Sequence, residues 1–243
     1  MTTRFFKLST VTAVVALAFT GAASAAIVNS YGDIASPPGV IFGSGNINGN
    51  FTIGTGSNVE AALRIKNRST GATIEAVNGV YRAPSGLCGP SCGGAGDRAF
   101  WNYEFAVNVR ADGSGTADLT QYFAQLLVDI DPSAGTSFVT LDLFNNWSDN
   151  EYWDGSTRTK HLAPAAGEFA VQQSANPRFG NSGFAFVPGA GLYDLRLNVY
   201  EGASANGMLV STTAVQVSIP EPGSLALAGL ALLGLVAVRR RPA

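Results

Sequence analysis

The chain has 243 residues, and its 15 basic and 17 acidic side chains nearly balance. Residues 26–218 carry ten basic and sixteen acidic side chains without a basic patch, which argues against a nucleic acid or an anionic lipid surface as the partner. This part, of about 193 residues, is long enough for one domain with a proper hydrophobic core.

The first 25 residues have the pattern of an export signal. A basic start is followed by an apolar run from Leu8 to Ala22 and then by the small residues Ala23-Ser24-Ala25. We expect signal peptidase to recognise Ala23 and Ala25 and to cut before Ala26. The alternative is an uncleaved anchor helix, but the run is short for a membrane span and the cleavage pattern is complete.

Residues 26–218 are expected to form one β-domain. In four long runs apolar residues occupy every second position, which predicts half-buried strands. These apolar sides run from Val59 to Ile65, from Trp101 to Val109, from Val139 to Leu143 and from Tyr193 to Val199. Turn clusters rich in Gly, Pro and Asn separate the runs. The sequence therefore predicts an all-β fold, an antiparallel β-sandwich of the jelly-roll-like or immunoglobulin-like type.

Two segments of the domain are less regular. Residues 26–50 have a weak pattern and are expected to be an arm or a first strand. The stretch from Asp118 to Asp131 fits an amphipathic helix as well as a strand, and we favour the strand because its end, LLVDID, has a strand pattern.

Cys88 and Cys92, in CGPSCGG, are the two cysteines of the chain. In an exported protein they are expected to form a local disulfide that fixes a Gly-rich turn. The alternatives are a metal site or a reactive thiol pair. A zinc site is disfavoured because the single histidine, His161, is distant in sequence, and His161 itself is expected to be a solvated loop residue.

Acidic and aromatic residues alternate between positions 129 and 154. Carboxylates of Asp129, Asp131, Asp149 and Asp154 are hard oxygen ligands of the kind that Ca²⁺ prefers, so a structural calcium site is one hypothesis. Solvated loop acids are the alternative, and no other cofactor is expected.

The aromatic residues of the same region are Trp147, Tyr152 and Trp153. Flat rings of this kind can stack on the apolar faces of sugars, which suggests a carbohydrate-binding module. Packing of the tryptophans in the core or at its rim is the alternative.

The chain closes with IPEPGSLALAGLALLGLVAVRRRPA, residues 219–243. Pro220, Glu221 and Pro222 form an extended stretch, because prolines cannot continue a helix. The apolar run of residues 224–238 is predicted to be a single transmembrane helix of about 22 Å, against the ~30 Å of a typical bilayer core. Three arginines follow it as a basic stop on the cytoplasmic side, Arg239, Arg240 and Arg241.

This tail resembles the PEP-CTERM sorting signal of Gram-negative bacteria, which the membrane protease exosortase recognises. The segments DIDPSAGTSFVTLDLF, WSDNEYWDG and GLYDLRLNVYEG are also similar to one group of such substrates. The resemblance implies that the protein is transiently anchored in the inner membrane, loses its tail to exosortase, and reaches the cell surface or the extracellular space. It also implies an association with exopolysaccharide and biofilm matrix. A permanent single-span anchor is the alternative.

The resulting hypothesis is a non-enzymatic, exported surface or matrix protein. Its expected partners are signal peptidase and exosortase during export, the membrane through the tail, and an exopolysaccharide. The first alternative is a carbohydrate-binding module of the matrix. The second is a secreted hydrolase, which is disfavoured because neither a nucleophile motif nor a facing pair of carboxylates is evident in the sequence.

Overall fold

A computed structural model describes residues 26–43, 46–92, 97–184, 186–187 and 189–221. Its regular structure is almost entirely β, so the prediction of an all-β domain is confirmed for these residues. The strands are β1 (Val28–Gly32), β2 (Phe51–Gly56), β3 (Val59–Asn67), β4 (Ala76–Val77), β5 (Val80–Arg82), β6 (Trp101–Asn108), β7 (Tyr122–Asp129), β8 (Phe138–Asp142), β9 (Asn150–Trp153), β10 (Arg158–His161), β11 (Ala170–Ala175), β12 (Gly191–Glu201) and β13 (Met208–Ile219). Short 3-10 turns lie at Gly89–Cys92 and Leu119–Gln121.

The strands form two sheets that enclose one hydrophobic core. The seven-stranded sheet has the order β1-β2-β3-β6-β11-β9-β10, and the six-stranded sheet has the order β4-β5-β13-β12-β7-β8. All neighbouring strands are antiparallel except β5 and β13, which run parallel. The expectation of a purely antiparallel arrangement is therefore wrong at this pair. One edge of β13 is already occupied by β12, and the short β4–β5 hairpin attaches to the other edge.

Period-two alternation identified the core-facing residues of the central strands. On β3 the side chains of Val59, Ala61, Leu63 and Ile65 are fully buried. On β6 the rings of Trp101 and Tyr103 are likewise buried, and they pack against Phe184 and Tyr193. Edge strand β8 differs, because Val139 is 37% exposed.

The ambiguous stretch at residues 118–131 is mainly a strand. Asp118 caps a single 3-10 turn by accepting a hydrogen bond from the Thr120 backbone N–H (3.0 Å), and β7 begins directly afterwards. Ala124, Leu126 and Val128 are fully buried at alternate positions of β7. The strand prediction is confirmed for residues 122–129.

The outer face of the seven-stranded sheet is covered by the chain between β1 and β2. We call residues 33–43 and 46–50 the covering segment. It is held by sheet side chains that point away from the core. Gln172 accepts a hydrogen bond from the Ile41 N–H (2.8 Å) and donates one to the Gly39 carbonyl (2.6 Å). The weak sequence pattern at residues 26–50 thus corresponds to β1 followed by a segment bound through its main chain.

Charged side chains are buried beneath the covering segment. The Arg64 guanidinium is fully buried and contacts the Glu104 carboxylate at 2.6 Å. The same guanidinium donates to the carbonyls of Ile47 and Gly49, both at 2.8 Å. An unpaired charge at this depth would cost several kcal/mol, so the ion pair and the covering segment depend on each other.

The two sheets are in close contact where β2 faces β13. A Cβ atom on Gly54 would lie 1.9 Å from the Thr212 carbonyl oxygen, so only glycine fits at this position. The Ser211 hydroxyl donates to the Gly54 carbonyl at 2.7 Å, and the Thr213 hydroxyl donates to the Thr52 carbonyl at 3.1 Å. These contacts fix β13 against the seven-stranded sheet.

Glu60 gives the covering segment a pH dependence. Its carboxylate accepts the Ala35 N–H with both oxygens at 3.0 Å, while burial raises its pKa from 4.5 to about 7. The folded state therefore binds more protons than the unfolded state between these pH values, and stability falls as pH rises from 4.5 through 7. The free energy of unfolding of the wild type should therefore fall with rising pH, and Glu60 should account for up to about 3 kcal/mol of that fall. In Glu60→Gln this contribution should be absent.

Urea denaturation of the wild type and of Glu60→Gln, each at pH 4.5 and pH 8, measures how far the free energy of unfolding falls between the two pH values. Glu75→Gln, which neutralises an exposed glutamate, is the matched control and should leave the decline unchanged. An equal decline in the wild type and in Glu60→Gln would contradict the assignment.

Candidate functional site

The folded domain ends where the sorting-like tail begins. Ile219 is the last residue of β13; it pairs with Gly191 on β12 and is only 2% exposed. Pro220 and Glu221 follow and are exposed. Because Pro220 has no N–H to donate, the hydrogen-bonded ladder cannot continue past Ile219. The predicted domain boundary between residues 218 and 219 lies one residue inside this strand.

The end of β13 is held on both sides. Ser218 is aligned with Leu192 on β12 and with Arg82 on β5. The Ser218 carbonyl also accepts the Ala83 N–H at 3.0 Å. Strand order therefore extends to the residue before the proline, and Pro220 and Glu221 leave a fixed point on the domain surface.

Several predicted processing residues lie outside the described residues. They are Ala23, Ala25, Pro222, the apolar run 224–238, Arg239, Arg240 and Arg241. Ala26, the residue expected after the signal peptidase cut, is described and is exposed. Within the described parts of the chain, no helix has the length and apolar character that a membrane crossing requires.

Cys88 and Cys92 are joined as a disulfide in the structure. Their Cα atoms are 5.7 Å apart, and the short turn Gly89–Cys92 lies between them. The Cys88 N–H donates to the Arg98 carbonyl at 2.9 Å, which ties the loop to the chain just before β6. The disulfide therefore closes a short turn that is hydrogen-bonded to the chain before β6.

The four aspartates of the calcium hypothesis do not converge. Asp129 accepts the N–H groups of Asp131 and Ser137, and Asp131 in turn accepts that of Ser133. Asp149 accepts a hydrogen bond from the Gln173 amide at 2.9 Å, and Asp154 accepts the N–H groups of Ser156 and Thr157. Among the described residues there is no cluster of three or more acidic, His or Cys side chains with metal-site geometry. The expected site is not formed, because most of these carboxylates cap their own turns.

The predicted sugar platform is also not formed. Trp147 is 3% exposed and packs on Phe105 with ring centres 5.3 Å apart, while Tyr152 is fully buried. Trp153 is half-buried, and its indole nitrogen is buried. Two of the three rings thus pack in the core and cannot offer a face to a sugar.

His161 lies on a strand and is closely contacted, which corrects the expectation of a solvated loop residue. It is the last residue of β10, and its ring stacks on Tyr152 with centres 4.4 Å apart. Nδ1 lies 2.6 Å from the Ala163 carbonyl oxygen, and Nε2 lies 2.8 Å from the Glu168 carboxylate. Sequence reasoning missed this contact because its partners come from the loop after β10, where the sequence shows no periodicity.

The arrangement around His161 differs from a catalytic relay. A relay requires the carboxylate on one ring nitrogen and the nucleophile on the other. Here the Thr159 hydroxyl (3.2 Å) and the Glu168 carboxylate (2.8 Å) both face Nε2, and Thr159 donates to Glu168 instead. The group acts as a tie between β10 and the loop that precedes β11.

Two buried glutamates of the seven-stranded sheet, Glu104 and Glu151, have neighbouring cations. Glu151 contacts Arg158 at 3.2 Å and Lys160 at 3.0 Å. Glu104 is held by Arg64, and Lys66 lies 3.5 Å away. Both carboxylates are engaged in ion pairs that stabilise the fold, and neither is directed at an open site.

Comparison with known proteins adds one finding at the tail. Residues 218–241 match the family model of the PEP-CTERM protein-sorting motif. The match starts on the last two residues of β13 and includes the exposed Pro220 and Glu221. No curated protein and no solved structure matches the chain significantly.

The packing of Ile219 yields a test of the junction. Ile219→Ala should lower the free energy of unfolding by about 3 kcal/mol, because a fully packed aliphatic side chain is removed next to the tail. Val77→Ala, which shortens a 62% exposed side chain in the same sheet, should change it by less than about 0.5 kcal/mol. Urea denaturation measures both values, and equal effects would show that Ile219 is not anchored in the core.

Proposed function

Since the chain carries a PEP-CTERM protein-sorting motif, we propose that it is an exported surface protein whose tail is removed by exosortase in the membrane. The exposed, proline-bounded stretch next to Ile219 is the single observation that supports this most directly. Proteases act on extended backbone, and prolines keep this stretch out of both helix and sheet. Export begins with signal peptidase, which removes the first 25 residues.

The distance between the domain and the motif is short. Two extended residues cover roughly 7 Å, so Glu221 lies within that reach of the buried Ile219. The predicted transmembrane run begins at residue 224, which places the folded domain close to the outer surface of the inner membrane before cleavage. The tail anchors the protein only until exosortase removes it. The processed domain then reaches the cell surface or the extracellular matrix.

The role of the processed domain is structural or adhesive rather than catalytic. The His161 group has its carboxylate and hydroxyl on the same nitrogen, and the buried Glu104 and Glu151 are ion-paired. In this proposal the processed β-domain is a component of an exopolysaccharide matrix, where it would contact glycan. A secreted hydrolase finds less support in this geometry.

Substitution of the motif tests processing. Glu221→Ala together with Pro220→Ala should leave the folded domain intact and make the unprocessed chain accumulate in the membrane, where it retains the peptide with Arg239, Arg240 and Arg241. Glu201→Ala, at an exposed glutamate on β12, is the matched control and should be processed normally. Membrane fractionation followed by peptide mass spectrometry reads the result. Normal processing of the double variant would contradict the proposal.

A further inference from the structure

The outer face of the six-stranded sheet carries several polar side chains, of which Arg196 is exposed, Gln125 and Thr212 are half-buried, and Asn198 is buried. Side chains that point away from the core on β7, β12 and β13 form rows across the strands. One row aligns Gln125, Asn198 and Thr212, and the next aligns Leu127, Arg196 and Ala214. Among the described residues, the hydrogen bonds from the rest of the chain to the covering segment involve β3, β6, β10 and β11 of the other sheet, Thr73, and the buried Tyr81 of β5. None of them involves the outer face of the six-stranded sheet.

Two adjoining depressions cross this face. One, of about 330 Å³, is lined by the β4–β5 turn at Asn78 and Gly79, by Phe138, and by the β12–β13 floor. The other, of about 300 Å³, is lined by Asn29, Leu209 and the floor residues Asn198 and Thr212. They share the lining residues Arg196 and Ala214 and therefore lie side by side, and we call the two depressions together the sheet groove.

The floor of the sheet groove is a preordered set of hydrogen-bonding groups. Gln216 donates to Asp194 at 3.0 Å, and Thr212 donates to Asn198 at 2.6 Å. Each of these contacts fixes the orientation of two side-chain groups. The amide, carboxylate and hydroxyl groups involved keep further donor or acceptor positions unused. Fixed polar groups of this kind lose little conformational entropy when they bind a hydroxyl-rich ligand.

Arg196 lies exposed at the centre of the groove floor. It makes no hydrogen bond or ion pair with any described residue, although Asp194 is on the same strand. A guanidinium presents a flat fork of donors that matches two adjacent oxygen acceptors. In a sugar such a pair is either two neighbouring hydroxyl groups or a carboxylate.

Phe138 supplies an apolar wall. It is 38% exposed at the start of edge strand β8, and it lines the same depression as Arg196 and the small, exposed Ala214. An exposed ring beside a shallow polar floor suits the C–H face of a pyranose, whose hydroxyl groups then point at the floor. The sheet-face position presents side chains rather than free main-chain groups, which disfavours an extended peptide as the ligand.

We propose that the sheet groove binds a glycan chain, with one sugar packed on Phe138 and a pair of adjacent sugar oxygens held by Arg196. This glycan site rests on the proposed function in one respect: an exported surface protein meets extracellular polysaccharide. The site differs from the predicted Trp147, Tyr152 and Trp153 platform, which is largely buried. The acidic character of the domain disfavours a nucleic acid in the groove.

Affinity electrophoresis of the exported protein, purified from the cells that make it, tests the site. The gels contain hydroxyethyl cellulose as a neutral polymer, alginate as a carboxylated polymer, or exopolysaccharide extracted from the same cells. At least one of these should retard the protein. Phe138→Ala and Arg196→Gln should each weaken that retardation at least about tenfold. Leu162→Ala, at a 44% exposed side chain beyond the groove, and Arg178→Gln should not.

The outcomes separate the possible ligands. Retardation by the carboxylated polymer alone assigns Arg196 to a carboxylate, and retardation by the neutral polymer assigns it to hydroxyl groups. Thermal melting of each variant within a few degrees of the wild type shows that the fold is retained. Absence of retardation by all three polymers, or retardation that Phe138→Ala and Arg196→Gln leave unchanged, would overturn the proposal. Such a result would not affect the tail-processing proposal, which is read from the mass of the chain.

Discussion

The pairing of β13 is the interaction on which the rest of the structure depends. This strand pairs with β12 along nearly its whole length, pairs with β5 at its end, and lies against Gly54 of the opposite sheet. It therefore joins the two sheets and also carries the tail. Because its ladder stops at Ile219 for a physical reason, the missing N–H of Pro220, the domain ends directly at the sorting motif. The matched motif overlaps the fold only at the last two residues of β13, Ser218 and Ile219.

The two outer faces of the sheets have different roles. On the seven-stranded sheet, buried charges such as Arg64 and Glu104 are paired with each other and with the main chain of the covering segment. On the six-stranded sheet, Arg196 is exposed, and its neighbours Asp194 and Gln216 are half-buried. The first arrangement stabilises the domain, since a buried charge needs its partners. The second leaves hydrogen-bonding capacity for a ligand.

Much of the core could be predicted from the sequence, because period-two alternation directly reports which side of a strand is apolar. The covering segment could not, since Gln172 and Glu60 bind its main chain and main-chain recognition leaves no sequence pattern. The aromatic and acidic residues between 129 and 154 misled for a related reason. Composition shows that rings and carboxylates are present, but not that Trp147 is packed inside or that Asp154 caps its own turn. The groove around Arg196 is lined by residues from β1, the β4–β5 turn, β8, β12 and β13, which only the folded structure brings together.

The most direct test of the account is the intact mass of the protein recovered from the cell surface. The expected chain begins at Ala26, ends within the exposed stretch after Ile219, and lacks Arg239, Arg240 and Arg241. A surface form that still ends at Ala243 would contradict it, because the junction would then be a permanent connection to the membrane.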